Sequence, residues 1–192
     1  MCGIVTIFNY NSNQPVDRDE LVRIRDHMTK RGPDGCGEWY SKDNRVGMGH
    51  RRLAIIDLSE YGSQPMCNED GTVWIVFNGE IYNYQTLRSQ LLAKGRRFKS
   101  NSDTEVIIHG YEEWGIENLL KQLRGMFAFA LYASRPQLSD ISSSRFTSHV
   151  SRSSHGSRAS NSPLSALCSP LLIDLTKKTW QIHPLALCPV RW

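Results

Sequence analysis

The second residue of the chain is a cysteine, placed between Met1 and Gly3 at the head of the run MCGIVTIFNY. Removal of Met1 would leave Cys2 carrying both a thiol and a free α-amine. An α-amine has a reference pKa of about 7.7–8.0, so part of it is available as a base near neutrality. A base held beside a nucleophile is the apparatus of covalent catalysis, and an N-terminal residue can supply both. Taken alone, Cys2 also reads as a small buried hydrophobe, because thiol reactivity depends on surroundings.

Acyl transfer at such a thiol needs donors for the developing oxyanion, groups that fix the substrate's polar ends, and backbone that permits close approach. The string FNGEIYNY (77–84) offers candidates for each. Asn78 has a side-chain N–H₂ donor, Gly79 a backbone N–H with no Cβ in the way, and Glu80 a charge for a cationic group. N-G is also a common turn dipeptide, and local chemistry alone favours that reading. GHRRLAIID (49–57) places Arg51 and Arg52 in a strand-like run, and arginine suits bidentate capture of a carboxylate. Asp103 opens a helix-like run, where the helix dipole favours an acid and where it is free to hold an ammonium group. A thiolate, an oxyanion hole, an arginine for a carboxylate and acids for an ammonium together suit an amino acid with a side-chain amide, such as glutamine.

The elements that must position these residues are legible over 1–134. GIVTIF, VGMGHRRLAIID, TVWIVFNG and MFAFALYA read as apolar strands. DRDELVRIRDHM starts with a capping-box pair, Asp17 and Glu20, and sets Leu21, Ile24 and Met28 on one helical face. NYQTLRSQLLAKG reads as a helix stopping at Gly95. SDTEVIIHGYEEWG reads as a helix capped by Ser102 and Glu105 and ending near Gly115, whereas RGPDGCG reads as loop. Strand runs with separate helices imply layered α+β packing.

Composition divides the chain. Residues 135–192 hold seven Lys/Arg and two Asp, leaving sixteen basic and seventeen acidic residues in 1–134. The net charge of +4 therefore belongs to the C-terminal part, and the near-neutral remainder gives no ground for a nucleic-acid partner. The stretch from Arg135 is rich in Ser and Arg, has no Glu and shows no periodicity. It is expected to be an irregular tail, disordered or read out of frame. No run approaches the roughly 18 apolar residues of a membrane helix, and no signal-peptide pattern opens the chain. The expectation is a cytoplasmic chain with no membrane partner. The five cysteines (Cys2, Cys36, Cys67, Cys168, Cys188) include no CxxC pair and are expected to be free thiols, with no metal site.

In order and spacing, MCGIVTIF, RGPDGCG, GHRRLAIIDLSEYGSQPM, FNGEIYNYQTLR, SDTEVIIHGYEEWG and LRGMFAFALY closely resemble the N-terminal glutaminase domain of glutamine-hydrolysing asparagine synthetase. That domain is a class II glutamine amidotransferase of the N-terminal-nucleophile hydrolase fold. The resemblance implies two antiparallel sheets between helical layers over residues 1–134. It implies Cys2 as nucleophile with its own α-amine as base, Asn78 and the Gly79 N–H as oxyanion hole, Arg52 for the glutamine α-carboxylate, and Glu80 and Asp103 for the α-amino end. Arg51 matches a variable position. The implied reaction converts L-glutamine and water to glutamate and ammonia through a thioester, with no cofactor in this chain. In the family, ATP and Mg²⁺ serve a second, synthetase domain with an SGGxDS loop, which this sequence lacks, as it lacks the ARD-type strands that follow FAFALY. The expectation is thus a glutaminase domain lacking its last strands, truncated or frame-shifted after about Ser134, with exposed sheet edges that favour aggregation. A synthetase domain or subunit in trans is the expected partner. The alternative is an inactive remnant or a subunit-binding module.

Overall fold

The computed structural model describes residues 1–10 and 12–134; the tail expected from Arg135 onward lies outside the described residues. Strand β1 (Gly3–Phe8), helix α1 (Arg18–His27), β2 (Gly35–Tyr40) and β3 (Val46–Arg52) form the first half. β4 (Met66–Cys67), β5 (Val73–Ile81), α2 (Tyr84–Ala93), α3 (Asp103–Gln122) and β6 (Gly125–Ala133) form the second. The strands make two antiparallel three-stranded sheets, ordered β1-β3-β2 and β4-β5-β6. The α+β expectation of two antiparallel sheets between helical layers is the architecture observed.

Period-two alternation along β3 explains the layering. Val46, Met48 and His50 point to the second sheet. There Val46 and Met48 join Val76 and Ala130, flanked by Ile4, Phe8 and a Trp39–Trp74 stack with centroids 4.8 Å apart. Gly47 and Gly49 point the other way, where added Cβ atoms would press on Val16, Leu21 and Arg25. These two glycines are what let α1 lie directly on the strand. The larger core lies between the second sheet and α2/α3. It is built from Ile75, Phe77, Ile81, Leu87, Leu91, Val106, Ile107, Leu119 and Phe129.

Helix starts follow the capping logic only in part. Asp17 caps α1 by accepting the Glu20 N–H, but the Glu20 carboxylate turns to Arg23 instead of back to the cap. Ser102 caps α3 by accepting the Thr104 N–H, while Glu105 has a different task, described below. α2 ends where expected, with Gly95 at φ 87° just beyond it.

Three boundaries differ from the sequence expectation. RGPDGCG is loop only to Asp34, since Gly35–Gly37 open β2. A Cβ at Gly37 would overlap the Gln64 carbonyl, so this glycine serves close approach and not a turn. β3 stops at Arg52, and LAIID leaves the sheet. α3 bends at Gly115 (φ 70°) and continues to Gln122, because Ile116 and Leu119 still have core to fill. Gly110 leaves the space that Leu119 occupies. Among the described residues β6 is hydrogen-bonded to a strand on one side only, that of β5.

Candidate active site

Cys2 stands immediately before β1, half-buried, with its Sγ against the end of β3. The Leu53 N–H donates to Sγ at 3.4 Å, and Sγ lies 3.6 Å from the Leu53 carbonyl. The Cys2 carbonyl accepts from Arg31 Nε at 3.4 Å, and Met1 is exposed. Behind this corner the RGPDG loop closes on β3. A Cβ on Gly32 would collide with the Arg51 backbone, the Asp34 N–H donates to the Arg52 carbonyl at 3.0 Å, and Asp34 accepts the Ala54 N–H at 2.9 Å. Cys2 and Arg52 are therefore set at one end of one sheet by backbone contacts.

Arg52 is half-buried and already engaged. Its Nη2 donates to the Asp57 carbonyl at 2.5 Å and the Ser59 carbonyl at 2.8 Å, and its Nη1 to Ser63 Oγ at 3.3 Å. The fork that the resemblance assigns to a substrate carboxylate is here engaged with the loop after β3. Arg51 points to the α1 side and pairs with Asp26 at 3.5 Å. The two neighbouring arginines are separated by the pleat.

Asn78, Gly79 and Glu80 lie within β5, not in a turn after it, opposite Ala128, Phe127 and Met126. Asn78 Oδ1 is buried without a hydrogen-bond partner. Gly79 has φ 152°, and a Cβ there would overlap the Met126 carbonyl and Phe127 Cα, so glycine is the residue this backbone admits. Glu80 is exposed. β1 packs against β5, which brings the Cys2 strand onto the strand that carries these residues.

Asp103 corrects one sequence reading: its carboxylate is not free. It is 4 % exposed, and Oδ2 accepts the Ile81 N–H at 2.9 Å. Burial raises its pKa, the N–H groups of Ile81 and of the start of α3 oppose that rise, and the negative Glu80 nearby adds to it. Asp103 is thus a buried acid that feels the charge of an exposed one, Glu80.

The turn into Asp103 is held by a buried charge network. Glu105 accepts the Lys99 N–H at 2.8 Å and the Ser100 N–H and hydroxyl at 2.8 and 2.6 Å. Against the cost of burial, His109 and these donors hold its carboxyl down to about 2. Burial pushes His109 down, but Glu105 at 3.6 Å and Glu112 at 3.2 Å prevail and raise it to about 9. Glu69, His109 and Glu112 place ligand atoms within 4.8 Å of one another. Arg96 and Asn68 also bind Glu112, so the group is built as a hydrogen-bonded imidazolium network.

Two residues of the site escaped the sequence reading. Asp57 sits in the loop after β3 with both oxygens occupied. Partial burial pushes its pKa up, and donation from Ser59 and Asn101 with the nearby Arg52 charge brings it below the usual value. His50 is 1 % exposed, faces the second sheet, and has no well-formed hydrogen bond at either ring nitrogen. Burial drives it down to about 4; the Phe77 carbonyl opposes this and Arg52 reinforces it.

His50 is therefore neutral in the folded chain at pH 7. A depressed folded pKa means that the unfolded chain binds the extra proton. The stability tied to neutral His50 is thus complete above about pH 6.5 and falls by up to ~3 kcal/mol as the pH drops towards 4. Urea unfolding midpoints measured between pH 6.5 and 4.5 should decline in this chain, and His50→Leu should remove most of that slope.

The sequence matches the family described as glutamine amidotransferase domain over residues 1–148. Relatives include asparagine synthetase [glutamine-hydrolyzing] 1 of Bacillus subtilis (strain 168), 48% identical over 134 residues, covering 69% of this chain and 21% of the relative. Asparagine synthetase [glutamine-hydrolyzing] 2 of Arabidopsis thaliana is 42% identical over 135 residues, covering 70% and 22%. The chain spans about a fifth of the length of the curated relatives it matches. Among solved structures, the glutamine phosphoribosylpyrophosphate amidotransferase of B. subtilis superposes with a TM-score of 0.54 at 19% identity, over 68% of this chain and 35% of that one. That likeness shows that the two-sheet arrangement is the N-terminal-nucleophile hydrolase fold. The family match covers the strand that carries Cys2, the β3 end and the NGE strand alike, and the chain belongs to the glutamine amidotransferase domain family.

Proposed function

We propose that this chain hydrolyses L-glutamine to glutamate and ammonia, as the glutaminase part of an asparagine synthetase. The observation that carries the reading is the placement of Cys2. Its Sγ sits 3.4 Å from the Leu53 N–H, one residue past Arg52, on a strand that packs against the one bearing Asn78, Gly79 and Glu80. With Met1 removed, the Cys2 α-amine takes the thiol proton as sulfur attacks the glutamine side-chain carbonyl. Asn78 and the Gly79 N–H receive the developing oxyanion. The amine returns the proton to the departing ammonia, and water then cleaves the thioester to glutamate.

At the other end of the substrate, Arg52 takes the α-carboxylate, and Glu80 and Asp103 hold the ammonium. Asp103 acts mainly by fixing Ile81 and so the angle of Glu80. Such chemistry needs no cofactor in this chain, since ATP and Mg²⁺ would serve the synthetase half. That half, in a separate domain or subunit, is the partner that would consume the ammonia, in the cytoplasm. No helix among the described residues is long and apolar enough to cross a membrane.

Glutamate release from glutamine, followed by proton NMR on the purified, Met1-processed chain, tests the reading. The expected result is turnover without ATP or aspartate. A processed, folded chain that releases no glutamate would contradict it.

A further inference from the structure

We propose that Asp57 is a positioning residue for the substrate's amino-acid end, strapping the Arg52 loop to the start of α3 so that both polar anchors hold one spacing. The inference rests on the glutaminase reading. Its observations are the bonds of one carboxylate. Asp57 Oδ1 accepts the Ser59 N–H at 2.8 Å and the Ser59 hydroxyl at 2.6 Å. Asp57 Oδ2 crosses 44 residues of sequence to accept the Asn101 N–H at 2.8 Å. The backbone carbonyls of the same two loop residues, Asp57 and Ser59, are the acceptors for Arg52 Nη2.

One continuous chain of contacts therefore runs from Arg52 through Asp57 to Asn101. Asn101 lies two residues before Asp103, which holds Ile81 beside Glu80. The loop that carries Asp57 meets the turn before α3 through this bond. Its far end is pinned separately, where the buried Gln64 accepts the Phe77 N–H at 2.6 Å and donates to Thr104 Oγ1 at 3.2 Å. Loss of the Asp57 strap would thus leave the loop anchored at both ends and the fold intact. What it releases is the distance between the carboxylate anchor and the ammonium anchors. Cys2 is fixed independently by Leu53 and by β1. Binding of an α-amino acid should suffer, and thiol chemistry should not.

The test is the inactivation kinetics of the full chain with 6-diazo-5-oxo-L-norleucine, an α-amino acid that alkylates the thiol, beside iodoacetamide, which lacks both polar ends. Asp57→Ala should raise the half-saturating concentration of the amino-acid reagent about tenfold and leave its limiting rate within about twofold. The iodoacetamide rate should also stay within about twofold. Asp57→Asn, which keeps one acceptor oxygen, should fall between the two.

An unchanged half-saturating concentration in Asp57→Ala would overturn the strap. A parallel loss of limiting rate and iodoacetamide rate would also overturn it, since that marks general disruption. If the unsubstituted chain reacts at Cys2 with iodoacetamide but never with the amino-acid reagent, the glutaminase reading itself falls, and the strap with it.

Discussion

Cys2→Ala is expected to abolish glutamine hydrolysis, with a loss of at least ~10⁴-fold, while leaving the fold in place. The large effect follows from the route: without sulfur no thioester forms, and oxyanion donors have nothing to stabilise. The small structural effect follows from the contacts. Cys2 Sγ accepts one N–H, from Leu53, and the position is half-buried at the start of β1. Losing that bond costs about 1 kcal/mol. Parallel glutamate-release assays and urea unfolding of the two chains separate these effects. A Cys2→Ala chain that retains a tenth of the activity would remove the thiol from the mechanism.

Gly79→Ala is expected to damage both stability and chemistry. Its φ of 152° lies where a side chain is strained, and the added Cβ would overlap the Met126 carbonyl and Phe127 Cα on the paired strand. Gly125, with φ 156°, faces the same constraint from β6, since its Cβ would overlap the Glu80 carbonyl. The two strands approach closely because both positions are glycine, so neither can yield to relieve the other. A destabilisation of ~2–4 kcal/mol follows, and β5 must shift at the residue proposed to donate to the oxyanion. Loss of 10²-fold or more in kcat is expected even where the variant remains folded at low temperature. Thermal unfolding with kcat and KM measured below the transition checks both halves. Unchanged stability would contradict the backbone account, and unchanged kcat in a destabilised chain would contradict the oxyanion role.

How much of this was legible in the sequence depended on the range of the forces involved. β1, β3, β5, β6, α1 and α2 each carry a local pattern of apolar residues, and those patterns named them. The ends of elements were harder. Gly35–Gly37 reads as turn chemistry, yet Gly37 is there because the Gln64 carbonyl arrives from 27 positions away, which no local window can see. Gly115 looks like a helix terminator and is a bend, because Leu119 still has the space beside Gly110 to fill.

The candidate site divides in the same way. Cys2, Arg52, Asn78, Gly79 and Glu80 were named from residue chemistry and from motif order; the structure sets Cys2 immediately before β1 and the other four on β3 and β5 of the two facing sheets. Asp103 was named as a free acid at a helix start, but its acceptance of the Ile81 N–H spans 22 residues and was invisible. His50 and Asp57 were missed for the same reason. A histidine in a strand and an aspartate in a loop carry no local sign that one will be sealed between sheets and the other will bridge to the turn before α3.

The central claim is an assembled thiol site that takes glutamine, and intact mass after incubation with 6-diazo-5-oxo-L-norleucine tests it most directly. The account predicts a chain lighter by Met1 and heavier by one covalent adduct, with no adduct on Cys2→Ala. A folded, Met1-free chain that stays unmodified while iodoacetamide labels Cys2 would contradict it.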